Sequence, residues 1–305
     1  MVYHEVRKVS GKEQNYLLWN RRENRKWIKK SRFIGFGKFS QQKINELKKE
    51  FENEIIINKK YLFLSLEEVT TLETLKEKYF RKIKTMHEEE YLQFEQSFFT
   101  ELTYNSNAIE GSSLSLEETD FVINKNIVPE GKSLREIYEA QNHVEALRFL
   151  KEYQGDLNEK LILILHSIIT KNVLDRFSGA YRKTQVRIFG SNVAFPPADK
   201  VPQLIKNLIY WYKKNKNKYH PFELAVLFSM KLVTIHPFVD GNGRVSRLLM
   251  NFLLTKRKYP QINIYYKQRK EYISAVRKAN DENYSSVFPF LIKTLRENLE
   301  EYNLL

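Results

Sequence analysis

The sequence predicts a mainly α-helical protein that opens on a small β-meander. Three observations carry this. From about residue 60 onward Leu, Phe and Ile recur at three- and four-residue spacing, the period of a half-buried helix. Before that, residues 2–36 read as short apolar runs separated by polar turn clusters. One later stretch, 184–197, alternates apolar and polar residues around Gly190-Ser-Asn, which is the pattern of a β-hairpin.

In chain order, strands are expected at 2–9, 16–19 and 27–36, with Gly11-Lys-Glu and the polar 21–24 cluster between them. Helices are expected at 40–55, 66–80, 87–109, 115–124, 134–152, 158–171, 202–215, 221–235, 242–258, 269–279 and 284–302. The natural division is a basic N-terminal module over 1–60 and a helical domain over 61–305. The longest apolar run, Leu224-Ala-Val-Leu-Phe-Ser-Met, is stopped by Lys231, well short of the roughly 20 residues a membrane span needs. No membrane association is expected.

The 305 residues carry 51 Lys+Arg against 37 Asp+Glu, a net charge of +14, so acidic partners are favoured by the overall field. Residues 1–60 hold 16 Lys+Arg and 7 Asp+Glu, which places +9 of that surplus in the first fifth of the chain. Trp19, Trp27, Phe33 and Phe36 are interleaved among these cations, as on a nucleic-acid surface. The favoured reading is plainer: a small sheet with a solvated basic face and its aromatics packed inward. With no Cys, disulfides, thiolate nucleophiles and Cys-ligated zinc are excluded. Residues 1–10 show no charged-then-apolar leader pattern, so a cytoplasmic location is expected.

The chemistry concentrates in His236-Pro-Phe-Val-Asp240-Gly-Asn-Gly-Arg244-Val-Ser-Arg247. Pro237 cannot continue the preceding helix and Asp240-Gly-Asn-Gly is turn chemistry, so 236–241 forms a loop between two helices, the second starting near Asn242. At that start unpaired backbone N–H groups and the positive dipole end face outward, and Gly241 and Gly243 let an anion approach the backbone. Arg244 and Arg247, three apart, share a helix face, and a polyphosphate supplies the negative charge and acceptor geometry that two guanidiniums need. Asp240 offers the hard oxygen that Mg²⁺ takes when it is shared with a nucleotide, and His236 can accept a hydroxyl proton. Singly these are a helix cap, a turn residue and solvated arginines; within twelve residues they compose an anion site with a base beside it.

The run resembles the Fic family signature His-x-Phe-x-(Asp/Glu)-Gly-Asn-Gly-Arg-x-x-Arg at every fixed position. The resemblance, which extends over roughly residues 90–300, implies a Fic-type helical core and a protein adenylyltransferase that moves AMP from ATP onto a target hydroxyl. It implies that His236 is the base, Phe238 the loop anchor and Asp240 the Mg²⁺ ligand. Asn242 with the amides of Gly241 and Gly243 would hold the transferred phosphate, and Arg244 and Arg247 the others. Gly179-Ala-Tyr-Arg182 through Phe195-Pro-Pro197 looks like the family's flap, a hairpin over 182–197 on which Val186, Arg187, Ile188 and Phe189 would register a target protein by strand addition. Tyr272 lies in a segment similar to the adenine-side helix. Helical spacing would equally make it core.

Upstream, Ser106-Asn-Ala-Ile-Glu110-Gly111 resembles the family's inhibitory pattern (Ser/Thr)-x-x-x-Glu-(Gly/Asn), at the end of a helix over about 90–111. Gly111 is a natural helix stop, so Glu110 sits at the negative end of a dipole and needs a cation. The resemblance names Arg247 as that cation, withdrawn from the γ-phosphate. In some relatives the same glutamate positions a water that removes AMP, so the reverse reaction is a second reading.

Other classes are set against these. The fold also serves transfer of phosphate or phosphocholine, and the complete Gly-Asn-Gly-Arg-x-x-Arg favours AMP. A nucleic-acid-associated regulator rests on residues 1–60 alone. A metallohydrolase fails on ligands, since none of the six His stands in His-Glu-x-x-His spacing. A dinucleotide fold lacks the third glycine and a preceding strand. A homodimer through apolar helical faces is compatible with the pattern.

Overall fold

The computed structural model describes residues 2–23, 26–57, 61–187 and 194–305. It divides into two compact units, Met1–Tyr61 and Leu62–Leu305.

The first unit is a three-stranded antiparallel sheet in the order β1 (Val2–Val9), β2 (Lys12–Glu23), β3 (Lys26–Phe36), followed by α1 (Gln41–Ile57). Val9 pairs with Lys12 across a two-residue turn whose Ser10 and Gly11 both have positive φ, the geometry that matches strand twist. β2 is longer than the expected 16–19, because ladder hydrogen bonds continue through its polar ends. One face of the sheet carries Val2 and Leu17 against Phe51 of α1, with Trp19, Ile34 and Leu47 around them. The inward packing expected of the aromatics therefore holds for Trp19 and fails for Phe33 and Phe36, which are exposed on the other face. The side chain of Trp27 lies outside the described residues.

The second unit is helical: α2 (Leu66–Thr85), α3 (Glu88–Glu110), α4 (Leu116–Asn124), α5 (Leu134–Glu152), α6 (Glu159–Thr170), α7 (Val201–Asn215), α8 (Pro221–Ile235), α9 (Asn242–Lys256), α10 (Arg269–Asn280) and α11 (Val287–Glu301). Three starts are fixed by reciprocal caps, Ser65 with Glu68, Ser115 with Glu118 and Ser133 with Glu136, each joining a serine hydroxyl and a glutamate to the other's backbone N–H. α8 is buried almost all round, from Phe222 to Met230, which makes it the central helix. α9 packs along it, α7 and α10 also pack on α8, and α3, α5 and α6 pack on α9. The joint between α8 and α9 therefore lies where α3, α5 and α6 converge. Among the described residues no helix is long and apolar enough to cross a membrane.

Of the hairpin expected over 182–197, residues 188–193, including Ile188 and Phe189, lie outside the described residues. Its described flanks, with Val186 and Arg187, are irregular backbone rather than strand. They are joined by the Gln185 amide, which donates to the Phe195 carbonyl at 2.9 Å.

Candidate active site

α8 ends at His236, which adopts the left-handed conformation and still donates its N–H to Leu232. Pro237 then turns the chain. Phe238, fully buried, lies flat against the ring of His166 with centroids 3.7 Å apart. Asn242 at the start of α9 clamps this loop: its Oδ1 accepts from Phe238 N–H at 2.9 Å and its Nδ2 donates to Phe238 C=O at 3.0 Å. Both polar atoms of its carboxamide thus bond the loop backbone in this structure. Gly241, with φ of 80°, closes the turn where a Cβ would strike Ile169.

His236 keeps its imidazole under the ring of Phe195, 3.9 Å between centroids. Its Nδ1 faces the Val233 carbonyl at 3.3 Å, which selects the tautomer with the proton on Nδ1 and a lone pair on Nε2. Burial lowers its pKa to about 4, the Val233 carbonyl opposing, so the ring is neutral at physiological pH.

Asp240 accepts Gly241 N–H on Oδ1 at 2.6 Å, with Arg244 Nη2 at 3.3 Å, and Arg135 Nη2 on Oδ2 at 2.6 Å. Burial alone would raise its pKa, but Arg244, the Gly241 amide and Arg135 outweigh it and leave the carboxyl below the ordinary range. Glu139 of α5 bridges the same two arginines, 3.1 Å from Arg135 and 3.2 Å from Arg244. Two guanidiniums and two carboxylates alternate here, which fixes Arg244 although it is buried.

Arg247, one turn further along α9, is also buried. Its Nη2 meets Glu110 Oε1 at 2.8 Å, and its Nε and Nη2 bond the hydroxyl and carbonyl of Ser106 at 3.1 and 2.8 Å. Glu110 Oε1 also stands against Gly243, where it leaves no room for a Cβ. The end of α3 thereby puts a carboxylate at the amide-rich start of α9. Gly111, with φ of 108°, ends α3 immediately afterwards. Tyr272 is buried beside Arg247, the guanidinium 5.9 Å from its ring centroid.

Several further residues, none singled out as a site residue from the sequence, hold this arrangement. His166 of α6 accepts Gly179 N–H on Nδ1 at 3.0 Å and faces the Asp240 carbonyl with Nε2 at 3.2 Å, so it is neutral and protonated on Nε2. Burial holds its pKa at about 4. Arg182, buried at the base of the flap, donates to the carbonyls of His236, Thr184 and Pro196 at 2.8, 3.2 and 2.5 Å. Arg269 at the start of α10 donates to the Ile109 carbonyl at 2.6 Å, holding the last turn of α3. His143, buried in α5 and bonded to Thr103 at 3.0 Å, is pushed to about 3 by burial and by Arg247 and Arg244.

Against known proteins, residues 156–254 match the Fic/DOC family. The chain is 33% identical over 203 residues to the protein adenylyltransferase Fic of Drosophila grimshawi, covering 65% of this chain and 42% of that protein. To that of Nematostella vectensis it is 30% identical over 203 residues, covering 65% and 47%. The chain spans less than half the length of the curated relatives it matches. A Fic-domain signalling protein from Bacteroides thetaiotaomicron superposes with a TM-score of 0.69 at 23% identity, over 75% of this chain and 95% of that one, a likeness of fold.

Proposed function

We propose, from the match of residues 156–254 to the Fic/DOC family, that the protein transfers AMP from ATP to a hydroxyl side chain of a target protein, held in check by Glu110. The observation that carries this reading is the carboxylate of Glu110 lodged between Gly243 and Arg247. An anion site built from a helix start and a buried guanidinium is already filled by the protein's own anion, and a phosphate is the natural competitor for it. The relatives named protein adenylyltransferase Fic support the same reaction.

In this reading ATP lays its phosphates along the start of α9, on the amides of Gly241 and Gly243, with Arg244 and Arg247 balancing their charge. Asn242 keeps the loop rigid through Phe238. His236 takes the proton of the target hydroxyl on Nε2, for which its neutral state and Nδ1 contact suit it, and that oxygen displaces pyrophosphate from the α-phosphorus. Asp240, ionised and hard, fits Mg²⁺ as the single protein carboxylate that such a shared ion takes, the nucleotide supplying further oxygens. Arg135 occupies that oxygen in this state and must yield it. The target segment would lie along the flap at Val186, Arg187, Ile188 and Phe189, whose base Arg182 ties to His236.

The test is label transfer in lysate by a Glu110→Gly variant, with ATP labelled at the α- or the γ-phosphate. Label from the α position alone, lost in a second His236→Ala variant, is the expected result. Label from the γ position would mean phosphate transfer, and label that survives loss of His236 would remove the base from the mechanism.

A further inference from the structure

One face of the first unit's sheet packs on α1, and on the other Leu18 is buried while Tyr3, Phe33 and Phe36 are exposed. Side chains alternate across a strand, so Val2, Leu17 and Trp19 face α1, and the alternate positions Tyr3, Glu5, Arg7, Lys12, Tyr16, Lys29 and Phe33 share the outer face. Phe36, three residues after Phe33, would point the opposite way in a regular strand. The pairing register shifts between Asn15 and Tyr16, where Tyr16 opposes Phe33 and Asn15 opposes Gly35, so one extra residue of β3 is accommodated as a bulge. Phe36 is thereby turned onto the outer face beside Phe33, with ring centroids 5.1 Å apart. Tyr16 stands 5.3 Å from Phe33 on the other side, and the Arg7 guanidinium lies 4.6 Å over the Tyr16 ring.

A bulge that turns a phenylalanine toward water buries nothing by doing so. Tyr3, Phe33 and Phe36 are 42%, 45% and 60% exposed, in a stretch of chain that carries +9 of the net charge. Lys12 stands two positions along β2 from Gln14, the partner of Phe36, Lys29 stands four positions along β3 from Phe33, and Glu5 on this face is paired with Arg7 at 2.6 Å. Open aromatic faces on an antiparallel sheet, rimmed by cations, match unpaired bases joined by phosphates. A duplex keeps its bases stacked away from such rings. We propose that this outer face binds single-stranded nucleic acid, with bases stacked on Phe33 and Phe36 and the backbone held by Lys12 and Lys29. This binding does not rest on the reaction proposed above.

Fluorescence anisotropy of the full chain with a labelled 20-nucleotide single strand, a duplex of equal length, and heparin or polyglutamate as competitors tests it. The single strand is expected to bind more tightly than the duplex. A Phe33→Ala, Phe36→Ala variant should weaken it about tenfold or more with an unchanged salt slope. A Lys12→Gln, Lys29→Gln variant should flatten the salt slope by roughly one unit. Circular dichroism melting confirms that these exposed substitutions leave the fold intact. The proposal is overturned by absence of binding, by a duplex or heparin bound as well as the single strand, or by affinity indifferent to the two phenylalanines. Polyglutamate competing on equal terms would assign the face to an acidic protein instead.

Discussion

The carboxylate of Glu110 sits 2.8 Å from Nη2 of Arg247 and covers the backbone of Gly243 at the mouth of α9. An anion bound there must displace it, so nucleotide affinity reports the plug directly. Glu110→Gly is expected to bind a non-hydrolysable ATP analogue at least tenfold more tightly, about 1.4 kcal/mol, with Glu110→Gln in between. Calorimetric titration measures this. The glycine variant should also melt at a lower temperature without nucleotide, because Arg247 stays buried without its counter-charge, and regain stability when the analogue is added. Equal affinities in all three proteins would mean that the pair does not guard the site.

The last turn of α3 is held from outside by Arg269, which donates to the Ile109 carbonyl at 2.6 Å, and by Tyr266 N–H, which donates to Asn105 Oδ1 at 2.8 Å. A cation at a helix C-terminus is worth about 0.3–1 kcal/mol when exposed, as Arg269 is. Arg269→Ala should therefore release the helix end partly, raising the initial rate of AMP transfer about two- to fivefold. Arg269→Lys should stay close to the parent. A rate that falls, or is restored by neither residue, would place Arg269 outside the control of Glu110.

Helix positions were legible because a repeated apolar stripe encodes both element and buried face: 134–152 and 221–235 are the observed α5 and α8 to the residue. Starts were legible too: the Ser-Leu-x-Glu runs at 65, 115 and 133 cap α2, α4 and α5, and α2 and α5 begin at the expected residue, whereas α2 runs five residues past its expected end at Phe80. The twelve-residue run from His236 was legible because its parts are contiguous. Arg135, Glu139 and His166 were not, since each reaches the site from an element far away in sequence where it reads as an ordinary helix residue, and Arg182 was marked only as part of the flap. The outward turn of Phe36 depends on a bulge, which strand periodicity cannot display.

Asn242 joins the His236–Gly241 loop to α9 through two buried hydrogen bonds to Phe238, at 2.9 and 3.0 Å. Asn242→Ala leaves a buried N–H and C=O without partners, at a cost of about 2–4 kcal/mol. Urea unfolding should show that loss, and AMP transfer in the Glu110→Gly background should drop by more than the unfolded fraction explains. A stable variant with unaltered transfer would show that Phe238 holds the loop without the clamp.

Three histidines are neutral in the folded protein with depressed pKa values, His143 at about 3 and His166 and His236 at about 4. In the unfolded chain each binds a proton near pH 6.5. Unfolding therefore takes up protons below that value, and the stability these groups allow is complete above about pH 6.5 and lost as pH falls toward 4. With one proton per ring the slope approaches roughly 4 kcal/mol per pH unit near pH 5. Urea unfolding at pH 7, 6 and 5 measures it, and His143→Gln should reduce the slope by about a third. A flat profile over that range would show that the rings are not held neutral.

The same burial sets where catalysis can fail in acid. A base is competent when unprotonated, and the acid limb of kcat/KM reports its pKa in the free enzyme. With His236 lowered to about 4, transfer by Glu110→Gly should hold level from pH 8 to about 5.5 and decline only below about pH 5, with circular dichroism at each pH separating loss of the base from acid unfolding. An exposed histidine would put that limb near 6.5. The position of the limb thus separates a base packed beneath Phe195 from one in open water: replacing Phe195 with Ala should move it upward, toward 6.5, as the ring gains solvent. A limb already at 6.5 in the parent, or one that ignores the Phe195 substitution, would disconnect the burial of His236 from its protonation state during turnover.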